Sequence, residues 1–172
     1  MSLRGHHNSI NLAVETASFL IIRLGGSYVA LPAEGVRGVL TQDEAGKEQA
    51  VTSAGNIFQP VDLAQRLSLV AHLSGLEFRT VLYSTGRSHS AIGAEQVIGL
   101  TEVERKDCFP LPPQFQRDER NWFQGMMLYQ EQLVLILNPL WVLGESADVV
   151  PALVEQGGEM VAATPARIGE SC

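Results

Sequence analysis

Cysteine and positive charge are both scarce in this chain, and each shortage excludes a class of protein. Only Cys108 and Cys172 are present among 172 residues, so neither a disulfide framework nor a cysteine-based zinc site is indicated. The 12 Lys and Arg residues are outnumbered by 19 Asp and Glu residues, which leaves a formal charge of -7. This charge offers no basic field for phosphates, so we expect protein partners and no nucleic-acid binding.

Long apolar runs are also absent. No stretch approaches the roughly 20 apolar residues that span a bilayer. The opening residues MSLRGHHNSINLAVETA contain no apolar region of the kind found in a secretory signal. The low cysteine content fits a reducing compartment. We therefore expect a cytoplasmic protein that does not insert directly into a membrane.

Histidines are few and isolated, which leaves little material for a catalytic or metal site. His6 and His7 are followed by no further ligand at a spacing that would complete a metal site. Neither His72 nor His89 has a serine, cysteine or carboxylate placed by the sequence as a nucleophile and base pair. We therefore expect no metal, no cofactor and no enzymatic activity. A small hydrolase stays open only as a third alternative.

The other reactive side chains also stand alone. The charge of Lys106 is near enough in sequence to lower the pKa of the Cys108 thiol slightly. Glu102 and Glu104 share one face of a predicted strand, but nothing in the sequence separates them into an acid and a base. The residue chemistry by itself predicts a binding module.

The sequence contains instead a series of short strand patterns separated by turn residues. The predicted strand pairs lie within residues 19–31, 51–63, 78–104 and 122–137. Pro60 predicts an edge or a bulge within its strand. Gly93 and Gly99 predict bends or bulges of the kind that close small barrels.

We take the stretch 122–143 as the central element of the predicted fold. The aliphatic run 133–137 is typical of a strand buried on both faces, and the polar residues 130–132 predict the turn before it. Asn138 offers a side-chain oxygen to a helix start, and Pro139 fits the first helical position. We therefore predict a hairpin closed by a short capped helix.

Two further short helices are predicted from the spacing of apolar residues. Within residues 33–40, Val36 and Val39 fall on one side of a helix. Residues 63–73 show a similar spacing, and Asp62 precedes them as a capping residue.

Six or more short strands with short helices between them predict an all-β fold, either one small barrel or a pair. The polar stretch 41–50 and the proline-rich stretch 105–120 are predicted to be loops. We expect residues 1–17 to be a flexible leader, residues 18–144 to form the folded domain, and residues 145–172 to be a largely disordered tail.

The order of these blocks resembles the CheW-like family of bacterial chemosensory adaptors. The resemblance covers residues 18–144 and rests on the blocks FLIIRL with YVALPAEGVRGVL, PVDLAQRL, TVLYSTGRSHSAIGAEQVIGLTEV and FQGMMLYQEQLVLILNPLWVL. The fixed points within them are Gly55, Asp62, Leu63, Gly125, Asn138 and Pro139. The resemblance implies two interlocked, five-stranded SH3-like barrels that share an apolar core. It also implies a non-catalytic adaptor that couples methyl-accepting chemoreceptors to the regulatory domain of a CheA-type histidine kinase.

The same resemblance implies a receptor-facing groove between the two barrels. By position, the groove residues are Val36 and Val39 on the first helix, Gly55 after the third strand, and Ala91 and Leu100 on the second barrel. Such a groove would take the helical tip of a receptor. For each valine or leucine, ordinary packing in the core stays open as the other interpretation.

One segment departs from the family pattern. Where the family has Asn-Leu-Arg-Gly, this chain has Thr52, Ser53, Ala54 and Gly55, and the segment that leads there from Leu40 is several residues short. Alanine offers none of the directed donors of arginine. Two alternatives therefore stay open: a divergent adaptor that binds only one of the two partners, and a regulatory scaffold for a pilus or gliding assembly.

Overall fold

The computed structural model of this chain describes residues 15–46 and 50–145. Within these ranges the strands are β1 Thr16–Leu24, β2 Ser27–Pro32, β3 Val36–Thr41, β4 Val51–Ser53, β5 Asn56–Val61, β6 Arg79–Ser84, β7 His89–Ala94, β8 Gln96–Glu104, β9 Cys108–Phe109, β10 Phe123–Tyr129 and β11 Gln132–Leu137. The helices are single turns, α1 Gln42–Ala45, α2 Leu63–Arg66, α3 Glu119–Trp122 and α4 Pro139–Val142, with 3-10 turns at Ala33–Gly35 and Arg105–Asp107. None of the helices in these ranges has the length and apolar character needed to cross a bilayer.

The strands form two curled sheets, which confirms the predicted all-β fold with two SH3-like subdomains. The first sheet has the strand order β8-β1-β2-β11-β10-β9, and the second has the order β3-β6-β7-β5-β4. Besides the five strands expected in each subdomain, the first sheet carries the two-residue strand β9 at its edge. The first sheet combines the first and last hairpins of the domain with β8 and β9, and strands β3 to β7 form the second sheet.

Two hairpins of the first sheet close through turns with the same backbone conformation. Gly25 and Gly26 join β1 to β2 with φ angles of 56° and 75°, and Gln130 and Glu131 join β10 to β11 with φ angles of 48° and 62°. Two central residues with positive φ form the type I′ turn that matches strand twist. Both predicted hairpins are confirmed, and the second adopts this turn without glycine.

The predicted capped helix after the last strand is confirmed. Asn138 precedes α4, and its side-chain oxygen accepts a hydrogen bond of 3.1 Å from the backbone N–H of Leu140. The prediction that β11 is buried on both faces is wrong at its start, because Leu133 is 59% exposed. β11 pairs with β2 only at Leu135 and Ile136, so its first residues extend beyond that neighbour.

The predicted helix over residues 33–40 is wrong, because most of this segment is strand β3, paired with β6. Val36 pairs with Tyr83, whereas Val39 pairs with Val81, because a bulge shifts the register between them. Tyr83 and Val81 are two residues apart and therefore share one face of the sheet. A bulged strand thus places two valines three residues apart on one face, which imitates the spacing of a helix.

The predicted helix over residues 63–73 ends after one turn. Asp62 caps it as expected, since its carboxylate accepts a hydrogen bond of 2.9 Å from the backbone N–H of Gln65. Ser68 then has a φ of 56°, outside the helical region. From there to Leu73 burial alternates residue by residue, and Val70 is 84% exposed. An extended segment with period-two burial, and not a helix, covers the core here.

The remaining local predictions have mixed outcomes. Residues 41–46 of the expected loop are exposed except for the half-buried Ala45, but they include the turn α1, which Thr41 caps. Pro60 has a strand neighbour on one side only, because β5 pairs with β4 through its first three residues and with β7 through its last three. The edge prediction is therefore confirmed.

Gly99 has a φ of 149° opposite a register shift, as a bulge requires, whereas Gly93 packs beneath the ring of Phe78.

The largest apolar cluster joins both sheets into one core. Leu20 and Ile22 of the first sheet pack in it with Val81 and Ile92 of the second, together with Leu63 of α2. A smaller cluster of Phe58, Leu82 and Ala91 lies on the other face of the second sheet. We call the first cluster the shared core and the second the small core.

The described ranges also bear on the predicted domain limits. β1 begins at Thr16, so the last two residues of the expected 1–17 leader belong to a strand. Residues 1–14 of that leader and residues 146–172 of the expected tail lie outside the described residues.

Candidate functional site

The core-facing side of the second sheet carries two of the predicted site residues. Tyr83 and Val81, the partners of Val36 and Val39, are both fully buried in the shared core. Val36 packs against that core and is half-buried, whereas Val39 is 39% exposed. On the core-facing side of β3, the residue at the start of the strand is therefore partly covered by the core, whereas the residue further along is exposed to solvent.

Leu100 lies on the core-facing side of the first sheet, as Val39 does on the second sheet. It pairs with Leu20, which is 3% exposed and belongs to the shared core, but Leu100 itself is 70% exposed. In the described ranges, β8 and β3 are outermost strands of their sheets. We call Val36, Val39 and Leu100 the apolar border, because they lie on the core-facing sides of these outer strands.

Tyr83 fixes the start of β3 and thereby the first residue of the apolar border. Its hydroxyl donates a hydrogen bond of 3.0 Å to the carbonyl oxygen of Pro32, and burial raises the pKa of this phenol. Its ring packs on Gly35, where an added Cβ would overlap the ring atoms. Glycine is therefore required at position 35, and the 3-10 turn is held against the core directly before Val36.

The other two predicted site residues do not join the apolar border. Ala91 pairs with Leu82, packs in the small core and is 7% exposed, so it lies on the opposite face of the second sheet. Gly55 lies in the β4–β5 turn with a φ of 78°, and a Cβ added there would meet nothing within 4 Å. The five predicted residues therefore do not form one continuous surface in the described structure.

Three exposed apolar residues were not among the predicted site residues: Leu128, Leu133 and Ile57. Leu128 and Leu133 are direct cross-strand partners on β10 and β11, with exposures of 54% and 59%. Ile57 on β5 is 57% exposed. Counting outward from the Gln130–Glu131 turn would have identified the leucine pair, because residues at equal distances from a two-residue turn face each other.

The two histidines in the described residues, His72 and His89, have structural contacts. His72 lies beyond α2, and its backbone N–H donates a hydrogen bond of 2.7 Å to the Glu95 carboxylate, which is the main cause that lowers the pKa of Glu95. His89 begins β7 instead of lying in the turn, and its ring meets Phe58 edge-on at 5.2 Å between centroids. In residues 15–46 and 50–145, no group of three His, Cys, Asp or Glu residues could hold a metal.

Cys108 is not an activated thiol. Burial raises its pKa, and the neighbouring charge of Asp107 raises it further. The expected lowering by Lys106 is wrong, because the ammonium group of Lys106 pairs with the carboxylate of Glu104. Cys108 also lines a cavity of about 730 Å³ with residues of β1, β10 and β11. None of the predicted site residues lines this cavity.

The chain is similar to a known domain family and to a solved structure. The family model for the CheW-like domain matches residues 18–146. Among solved structures, the scaffolding protein TtCheW from Thermoanaerobacter tengcongensis is similar, with a TM-score of 0.60 and 14% sequence identity, over 72% of this chain and 90% of that chain. At this identity the similarity concerns the fold alone. No curated protein sequence matches the chain.

Proposed function

This chain belongs to the CheW-like domain family, and from that premise we propose that it is a non-catalytic adaptor that couples the cytoplasmic tip of chemoreceptors to the regulatory domain of a CheA-type histidine kinase. The observation that carries the receptor part of the proposal is the apolar border. Val39 and Leu100 are exposed although their cross-strand partners Val81 and Leu20 are buried in the shared core. In this proposal the protein acts in the cytoplasm, and the adaptor role requires neither a metal nor a cofactor.

An amphipathic receptor helix fits the chemistry of the apolar border. Valine and leucine side chains offer no directed hydrogen bonds, so recognition would depend on burying apolar area. The side chains of Val39 and Leu100 are the exposed part of this surface, and the half-buried Val36 supports it. In this proposal Ala91 and Gly55 contribute indirectly: Ala91 through the small core beneath the sheet, and Gly55 through the shape of its turn.

A divergent adaptor that has lost or changed one partner is the second candidate, and Ala54 is the observation that favours it. Ala54 has a φ of 49° in the β4–β5 turn and is exposed, so the family's arginine position is presented to solvent without a donor. A partner contact that needs a guanidinium group at this turn would be weakened. The adaptor would then bind the receptor alone, or serve a different assembly such as a pilus or gliding apparatus.

Co-sedimentation separates these candidates. Purified protein is mixed with receptor cytoplasmic fragments, with the kinase regulatory domain, or with both. Binding to both supports the coupling function, and binding to the receptor alone supports the divergent adaptor. An Ala54→Arg variant that gains kinase binding would assign the loss to this turn. Binding to neither partner would contradict the proposed function.

A further inference from the structure

The two tryptophans of the chain form one stacked pair. Trp122 at the end of α3 and Trp141 in α4 have ring centroids 5.6 Å apart and planes inclined by 27°. The guanidinium carbon of Arg66 lies 5.2 Å from the centroid of the Trp141 ring. This distance is within the range of a cation–π contact. The Trp141 ring therefore contacts both the guanidinium group of Arg66 and the ring of Trp122.

Arg66 also binds the end of α4 through its backbone. Its Nη1 donates hydrogen bonds of 3.0 Å to the carbonyl oxygen of Trp141 and of 2.7 Å to that of Val142. The last carbonyls of a helix have no partner in a further turn, and a cation supplies strong donors to them. The carbonyl oxygen of Trp141 also accepts a hydrogen bond of 3.1 Å from the backbone N–H of Gly144. Two bonds from one planar group fix the orientation of the guanidinium and of α4 together.

These contacts connect the two subdomains. Arg66 belongs to α2, which directly follows β5 of the second sheet, whereas α4 directly follows β11 of the first sheet. Arg66 and Trp141 are 75 positions apart in the chain. The contacts of Arg66 therefore set the position of one subdomain's connecting helix against that of the other.

The same elements reach the apolar border. Trp141 and Val36 both pack against the shared core. Beyond α4, the carboxylate of Glu145 accepts a hydrogen bond of 3.2 Å from the hydroxyl of Thr85, which follows directly after β6, the strand paired with β3. A displacement of α4 would therefore act on the edge of the second sheet that carries Val36 and Val39.

We propose that Arg66, Trp141 and Trp122 form a clamp that holds the two subdomains at a fixed angle and thereby preorganises the apolar border for its partner. Arg66 is in this account a positioning residue, because it does not belong to the border itself. The consequence for receptor binding rests on the proposed function, whereas the effect on the angle between the subdomains does not. A preorganised surface binds more tightly because less conformational freedom is lost on association.

Substitution of Arg66 tests the clamp with two variants and one matched control. Arg66→Met removes both donors and the charge, and Arg66→Lys keeps the charge but lacks the planar pair of donors. The control is Arg79→Met, because Arg79 also donates from its Nη1 to two carbonyls, those of Leu76 and Phe78, but both belong to its own segment.

The angle between the subdomains is measured by double electron–electron resonance, without any partner. Spin labels are attached through Thr52→Cys on β4 and Glu102→Cys on β8, in a Cys108→Ser, Cys172→Ser background. Near-ultraviolet circular dichroism reports the stacked indoles, because the chain has no other tryptophan. We expect Arg66→Met to broaden the distance distribution and reduce the tryptophan signal, Arg66→Lys to be intermediate, and Arg79→Met to resemble the wild type.

Receptor binding is then measured on the same proteins. We expect Arg66→Met to weaken binding of a receptor fragment about tenfold, equivalent to about 1.4 kcal/mol, with a smaller loss for Arg66→Lys. An unchanged distance distribution in Arg66→Met, or an equal broadening in Arg79→Met, would overturn the clamp. If the distance distribution of Arg66→Met broadens as expected but the wild type does not bind the receptor fragment, the clamp is supported and the proposed function fails.

Discussion

Two cross-strand pairs in this domain join a buried residue to an exposed one of the same type. Leu20 on β1 is 3% exposed and its partner Leu100 on β8 is 70% exposed. Val81 on β6 is fully buried and its partner Val39 on β3 is 39% exposed. The side-chain chemistry is identical within each pair, so the difference lies in position alone. The inner members stabilise the fold, and the outer members remain exposed, which is why we propose them as a partner-binding surface.

The largest effect on stability is expected at the inner leucine. Leu20→Ala removes buried methyl groups and leaves a cavity in the shared core, which costs about 2–5 kcal/mol. Leu100→Ala removes the same atoms from an exposed position and should change the stability by no more than about 0.5 kcal/mol. Urea unfolding of both variants measures the contrast. Equal losses in the two would show that Leu100 belongs to the core and is not a free surface.

A smaller loss is expected where the core holds the start of β3. Gly35→Ala places a methyl group against the ring of Tyr83, and overpacking of this kind costs about 1–3 kcal/mol. In a Tyr83→Leu background the ring is absent, so the same substitution should cost much less. Thermal unfolding of the four proteins in this cycle tests the contact. If the losses of stability from Gly35→Ala and Tyr83→Leu simply add in the double variant, another neighbour, and not the Tyr83 ring, requires glycine at position 35.

A still smaller effect is expected at a polar contact outside the core. The N–H of His72 lowers the pKa of the Glu95 carboxyl from its ordinary value of 4.5. This contact therefore stabilises the fold above that value and is lost as the pH falls through the lower folded pKa. We expect Glu95→Gln to be less stable than the wild type at neutral pH and to lose less stability below pH 4.5. Urea unfolding midpoints of the wild type and Glu95→Gln, measured across this pH range, test the expected difference in pH dependence. The same pH dependence in both proteins would contradict the prediction.

The sequence predicted the elements whose signals are local. The Gly25–Gly26 turn, the Asp62 cap and the Asn138–Pro139 helix start each depend on a few adjacent residues, and all three are confirmed. The resemblance of the ordered blocks supplied the two-subdomain fold, which no single block determines.

The errors occurred where tertiary pairing overrides local spacing. A bulge in β3 placed Val36 and Val39 three residues apart on one sheet face, which no periodicity count separates from a helix. Residues 69–73 follow the core in an extended form because packing against the core, and not their own propensity, selects it. The position of Ala91 on the opposite face also depends on register, which the sequence alone does not fix.

The most direct test of the apolar border is the affinity of a receptor cytoplasmic fragment for Leu100→Asp, measured by isothermal titration calorimetry beside Leu76→Asp. Leu76 is 96% exposed and lies outside the border, so its variant controls for the added charge. We expect Leu100→Asp to weaken binding at least about tenfold, as truncation of an interface anchor does, with an unfolding midpoint like that of the wild type. Leu76→Asp should bind normally. Undiminished receptor affinity in a folded Leu100→Asp protein would contradict the assignment of this border to the receptor.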